Sequence, residues 1–197
     1  PGVDESKRST LRRFAALGAA SPLVGLVEGT GDSDARPAIL GYLETTPGAH
    51  FSKLRDDLTL GTGETQHHLR RLEEADAVES YRDGDYRRFL PAGRFSVFER
   101  TALGYLRRET PRGMVIELLR RPDATGSQLA AALSVTPPTI SKHAADLADA
   151  GLLSRESGYR LVRSETLLLL LVRYADSFGD DAVRLAAEAH ELIRIEE

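Results

Sequence analysis

Cysteine is absent from this chain of 197 residues, which excludes disulfides, thiolate zinc sites and cysteine nucleophiles. Tryptophan is absent as well, and aromatics make up 6% of the residues. A core must therefore be mainly aliphatic, and a hydrophobic content of 41% is enough to fill one. Lysine is scarce: Lys7, Lys53 and Lys142 are all there are, so arginine carries the positive charge. The net charge of −4 provides no overall basic field, and any surface for nucleic acid must be local. No apolar run approaches the roughly 20 residues that a bilayer crossing takes, so no membrane partner is expected. Phosphate-cradling glycine loops, paired-carboxylate signatures and nucleophile elbows are also missing. Neither an enzyme nor a cofactor is expected.

The N-terminal stretch SKRSTLRRFAALGAASPLVGLV places basic residues ahead of a mildly apolar run, as a twin-arginine export signal does. Phe14 directly after Arg12-Arg13 is off that spacing, and Ser21-Pro22 interrupts the run. Two short helices are the expectation here, one over 9–19 and one starting at Pro22 with Ser21 as its cap. A cytoplasmic location fits the missing cysteine.

The chain repeats itself. Sliding it by 75 residues lays 38–80 on 113–155 without a gap. The offset pairs Leu43 with Leu118, Pro47 with Pro122, Leu54 with Leu129, His68 with His143 and Leu72 with Leu147. Each copy reads as a helix (37–45; 111–120), a short helix (51–58; 127–133) and a tight turn ("GTG" at 61–63; "VTPP" at 135–138). A third helix (64–75; 138–150) and two short strands follow (78–82 with 86–90; 152–155 with 159–162). Asp83-Gly84 and Ser157-Gly158 suit hairpin turns. Helix, helix, turn, helix, hairpin is the order of a winged helix-turn-helix. The fold class expected is mainly α with small β-hairpin wings (α+β). Its parts are an N-terminal helical extension (1–35), a first winged domain (36–93), a linker helix (94–110), a second winged domain (111–163) and C-terminal helices (164–197).

On a helical wheel at 100° per residue, Thr65, Leu69 and Leu72 share the inner side of the third helix, with His68 at its edge. Gly63, His67 and Arg70 face out, flanked by Gln66 and Arg71. Adjacent histidines diverge too far to chelate one ion, so His67-His68 is not a metal site. The outer face has the chemistry of a DNA reader. Gln66 suits adenine, Arg70 suits guanine or phosphate, and His67 donates or accepts. Thr62 and Thr65 offer hydroxyls to phosphate, and Gly63 permits close approach. The wing adds Arg82, Tyr86, Arg87 and Arg88 as backbone or minor-groove contacts. In the second copy the counterparts are Thr136, Pro138, Thr139, Ser141 and Lys142, with wing residues Arg155 and Arg160. Asp146 and Asp149 make this helix the weaker candidate.

The segments LTLGTGETQHHLRRLEEADAVES and LSVTPPTISKHAADLADAGLLSRESGYRL each resemble the recognition segment of MarR/ArsR-like winged-helix regulators. With the closing LLLLLVRYADSF, the whole resembles tandem winged-helix regulators of archaea, especially halophilic ones. That resemblance implies a sequence-specific transcription regulator of double-stranded DNA, normally a dimer. It places DNA contacts on Thr62, Gly63, Gln66, His67, Arg70, Pro138, Ser141 and Lys142. Glu64, a negative charge at the start of the first recognition helix, departs from the pattern.

The run 167–172 is apolar around most of a helix and is therefore expected to be buried on several sides. It either packs on its own winged domain or forms a dimer interface through Leu167, Leu168, Leu171, Tyr174, Phe178, Val183, Leu185 and Leu192. The alternative function is a protein–protein interaction or chromosome-organising factor that does not read DNA sequence; net acidity favours it.

Overall fold

The computed structural model describes residues 2–26 and 34–193, with side chains over 5–26 and 34–190. The chain divides into two compact units, 1–95 and 96–197.

In the first unit the order is α1 (Gly2–Ala19), a 3-10 turn (Val24–Leu26), α2 (Ala35–Thr45), β1 (Ala49–His50), α3 (Phe51–Asp57) and α4 (Thr62–Glu74). The wing strands β2 (Val78–Asp83) and β3 (Tyr86–Pro91) close it. The helix expected over 9–19 begins at Gly2, and the one expected from Pro22 starts as a 3-10 turn. Ser21 accepts the Leu23 N–H at 3.2 Å as expected of a cap, while its hydroxyl donates to Glu44 at 2.7 Å. Residues 27–33, into which that helix would run, lie outside the described residues.

α1 packs tightly on α2 because glycines meet where the two helices touch. A Cβ on Gly41 would lie 1.9 Å from the Phe14 carbonyl oxygen, and one on Gly18 would lie 2.1 Å from that of Pro37. Leu11 is buried beside this contact, and Phe14 meets Tyr42 edge-on at 5.3 Å. Gly41→Ala is therefore expected to force the helices apart and to destabilise the first unit by about 1–3 kcal/mol. Gly63→Ala, with nothing within 4 Å of its added Cβ, should be neutral or stabilising by up to about 1 kcal/mol. Thermal melts of the two variants followed by circular dichroism check this, and similar melting temperatures would contradict it.

The tight turn lies earlier than "GTG" suggests. α3 ends with Thr59 in the left-handed region (φ 56°). The Thr59 N–H bonds Asp56 O, and the Leu60 N–H bonds Arg55 O at 2.9 Å, a Schellman closure. Leu60 then turns into the core, and the chain re-enters a helix at Thr62, so Thr62 and Gly63 belong to the first turn of α4. The second copy repeats this at Ser134 (φ 54°), and its third helix likewise begins early, at Pro137. Both third helices end the same way, through Asp76 (φ 53°) and Gly151 (φ 72°). These left-handed positions keep the 75-residue offset of the sequence repeat.

β1 has no counterpart among the expected strands. It pairs with β3 through Ala49–Phe89 and His50–Arg88, giving a three-stranded antiparallel sheet in the order β1-β3-β2. β3 is thus a central strand and not the outer strand of a hairpin.

The second unit runs α5 (Val97–Leu106), α6 (Glu109–Arg120), α7 (Gly126–Ala132), α8 (Pro137–Asp149), β4 (Leu153–Ser154) and β5 (Arg160–Leu161). It ends in α9 (Ser164–Arg173), α10 (Ala175–Phe178) and α11 (Asp180–Ile193). Its wing strands are shorter than expected. α5, expected as a linker, packs on α6 and α9 within this unit, and Ser96 and Glu99 form a capping box at its start. α9 begins at Ser164, with Arg163, at φ 53°, in the cap position before it.

The C-terminal helices complete the core. α9 meets α5, α6, α10 and α11, which explains its apolar run. Arg112 holds Asp181 at 2.8 Å, and Arg120 holds Glu188 at 2.8 Å, tying α6 to α11. The Arg107 guanidinium lies 4.4 Å from the Phe178 ring centre. Leu167, Leu171, Tyr174, Phe178 and Leu185 are all buried here. The dimer-interface expectation is corrected for these five, since they already fill their own unit. Leu168 is half-buried and Val183 exposed; the Leu192 side chain lies outside the described residues.

Candidate nucleic-acid interface

α4 is amphipathic as its wheel requires. Thr65, Leu69 and Leu72 are buried, while Thr62, Gly63, Gln66, His67, Arg70 and Arg71 are exposed. Thr65 is a correction to the expected contact set. Its side chain is fully buried and its hydroxyl donates back to Gly61 O at 2.8 Å, so it braces the first turn and offers nothing to a phosphate. Thr62 receives a long contact, 3.5 Å, from Arg55.

A groove of about 520 Å³ runs between α4 and the wing. Gly63, Gln66, His67 and Arg70 line it on one side, Arg87 and Phe89 on the other. The arginines divide into two groups. Arg70 and Arg71 are exposed on α4, within 3.8 Å and 3.4 Å of Glu74; such exposed pairs are weak and exchange readily for a phosphate. Arg87 bonds Glu73 at 2.7 Å and Ser80 at 2.9 Å, bracing the wing against α4. Arg88 is the second correction. It is 3% exposed, pairs with Asp83 and donates to Gly48 O at 3.0 Å. As a residue of the central strand it is structural. Arg82 and Tyr86 remain exposed on the wing.

In the second copy Thr136, Pro138, Ser141 and Lys142 are exposed, and Thr139 is half-buried with its hydroxyl 2.9 Å from that of Thr136. Arg160 bonds Asp123 at 2.6 Å and Pro122 O at 3.0 Å, but unlike Arg88 it is exposed. Arg155 is exposed. His143 lies 3.7 Å from Asp146. Among the described residues no group of three or more His, Asp or Glu is placed to hold a metal ion, and no helix is long and apolar enough to cross a membrane.

Two features escaped the sequence reading. Lys7 of α1 donates to Glu64 Oε2 at 2.9 Å, across 57 positions of sequence. The Gly61 N–H donates to the same oxygen at 3.1 Å. Burial pushes the Glu64 carboxyl up, yet the bonds from Lys7 and Gly61 outweigh it and hold the group below its ordinary range. The only signal for the first contact was a lone lysine among arginines, which does not identify a partner.

His68 sits on the inner edge, its Nδ1 buried without a hydrogen-bond partner among the described residues. Burial, with His67 next, lowers its pKa below 6.5; Arg36 and Lys7 act the same way and Glu64 opposes them. Burial, then Arg88 and Lys53, lower that of His50. Both histidines therefore bind protons more weakly in the folded chain, and unfolding takes protons up below pH 6.5. Stability should be full above that pH and fall as pH drops through 6 and below. Urea midpoints at pH 7.5 and 5.5 check the sign, with a smaller difference expected in His68→Gln. Equal midpoints in the parent chain would contradict it.

Comparison with known proteins agrees with this architecture. Residues 33–103 match a family described as an N-terminal HTH domain, and residues 112–155 match the bacterial regulatory protein, arsR family. An uncharacterized HTH-type transcriptional regulator of Methanocaldococcus jannaschii is 29% identical over 131 residues. That stretch covers 66% of this chain, and the chain spans about a third (33%) of the relative's length. No solved structure matches. With a helix-turn-helix family model on each of its two winged units, the chain carries tandem winged helix-turn-helix domains, similar to those of an archaeal HTH-type transcriptional regulator.

Proposed function

We propose that this chain binds double-stranded DNA in a sequence-specific manner and regulates transcription. The observation that carries the reading is the outer face of α4. It presents Gln66, His67 and Arg70 in one groove-lined row, with Arg82 and Tyr86 exposed on the adjacent wing. A helix of this kind enters the major groove and reads base edges from its N-terminal half. Gln66 and Arg70 are the base-reading pair, Arg71 and Thr62 take phosphates, and the wing follows the backbone. α8 offers Ser141 and Lys142 but also the exposed Asp149, and its role is a weaker backbone contact. Dimerisation, in the same reading, falls to Leu168 and Val183 with the exposed Leu169, because Leu167, Leu171, Tyr174, Phe178 and Leu185 are inside the unit.

The alternative, a surface for protein segments, is favoured by the acidic partners of the interface arginines, Glu74 beside Arg70 and Arg71 on α4 and Glu73 beside Arg87 on the wing. Salt dependence separates the two. A DNA reader releases about one counterion per neutralised phosphate, and log affinity for duplex falls steeply with log salt. Duplex titrations between 50 and 200 mM salt should give a slope of several units. A slope near zero, or no binding at 50 mM, would favour the protein-binding reading.

A further inference from the structure

α1 is docked well away from its own N-terminal end. Gly18, Phe14 and Leu11 make the tight contact with α2, and Lys7 lies roughly three helical turns before Gly18. A partly exposed ion pair at that distance adds little to docking, since the Lys7 and Glu64 side chains keep 28% and 35% of their exposure. What the pair changes is the charge at the start of the recognition helix. Glu64 occupies the third position of α4, between the exposed Gly63 and Gln66. Alone, its carboxylate would set one negative charge beside the residues that must approach an anionic backbone. Lys7 cancels that charge while Glu64 keeps its bond from the Gly61 N–H.

We propose that Lys7 is a positioning residue for DNA binding: through its bond to Glu64, α1 neutralises the entry end of α4 and makes the N-terminal extension part of the DNA-binding unit. This rests on the DNA-binding reading above. The effect is electrostatic and independent of base sequence.

A charge-swap cycle tests it on the full chain, with a duplex from upstream of its own gene and a scrambled duplex. Glu64→Gln keeps an oxygen for the Gly61 N–H and removes only the charge. Lys7→Ala should weaken binding to both duplexes alike, by about fivefold at low salt, with less effect at 0.5 M as screening shortens. Lys7→Ala/Glu64→Gln should return to within about twofold of the parent chain. Lys7→Ala/Glu109→Gln has the same net charge but its change lies in the other unit, and it should stay weak. Melting temperatures read in parallel should stay close to the parent in all variants, which separates a charge effect from loss of α1. The proposal is overturned if Lys7→Ala binds like the parent, if Glu64→Gln fails to restore binding, or if Glu109→Gln restores it equally. Absence of duplex binding by the parent chain would instead remove the DNA-binding reading, and this proposal with it.

Discussion

Replacing Arg88 with alanine should destabilise the first unit by about 2–3 kcal/mol, although Arg88 reads in sequence as an exposed wing residue. The guanidinium is 3% exposed, and its partner Asp83 has a side chain 12% exposed. Its removal takes the buried guanidinium charge away from that largely desolvated carboxylate and frees the Gly48 carbonyl. The loss is that of one partner from a buried pair, which costs more than the pair contributes. Calorimetry of the full chain should show a transition lowered by roughly 10–15 °C. Arg82→Ala, at an exposed site on the neighbouring strand, should lie within about 0.5 kcal/mol of the parent. Equal effects from the two substitutions would refute the central-strand account of Arg88.

The second large effect concerns binding. Gln66→Ala/Arg70→Ala is expected to reduce duplex affinity by about 30-fold, roughly 2 kcal/mol, and to narrow the gap between specific and scrambled duplexes. Both side chains are exposed, so the melting temperature should hold. Ser141→Ala/Lys142→Ala in α8 should cost about threefold to tenfold, equally for both duplexes, as expected of backbone contacts. Titrations of both double variants by fluorescence anisotropy decide this. A larger loss from the α8 pair would reverse the assignment of the two units.

Much of this architecture is legible in the sequence because periodicity and repetition carry it. The wheel of α4 separates the exposed His67 from the half-buried His68 and buries Leu69 and Leu72, since side-chain direction follows from 3.6 residues per turn. What was not legible has a common cause, dependence on partners distant in sequence or on conformations without a dedicated residue type. β1 is two residues long, too short for any alternation, yet it turns Arg88 from a surface residue into a buried one. Thr59 and Ser134 take left-handed backbone where glycine is the usual signal, so the sequence places the turn too late. The apolar run of α9 correctly indicates burial on several sides, but cannot say whether its own helices or a second chain supply the cover. Lys7 reaches Glu64 only because the glycines at 18 and 41 let α1 lie against α2.

The most direct test of the central claim compares the duplex upstream of this chain's own gene with a scrambled duplex, by fluorescence anisotropy at two salt concentrations. Tighter binding to the natural duplex is expected at both, with affinity for each falling as salt rises. Equal affinity for the two duplexes, or no binding to either, would contradict it.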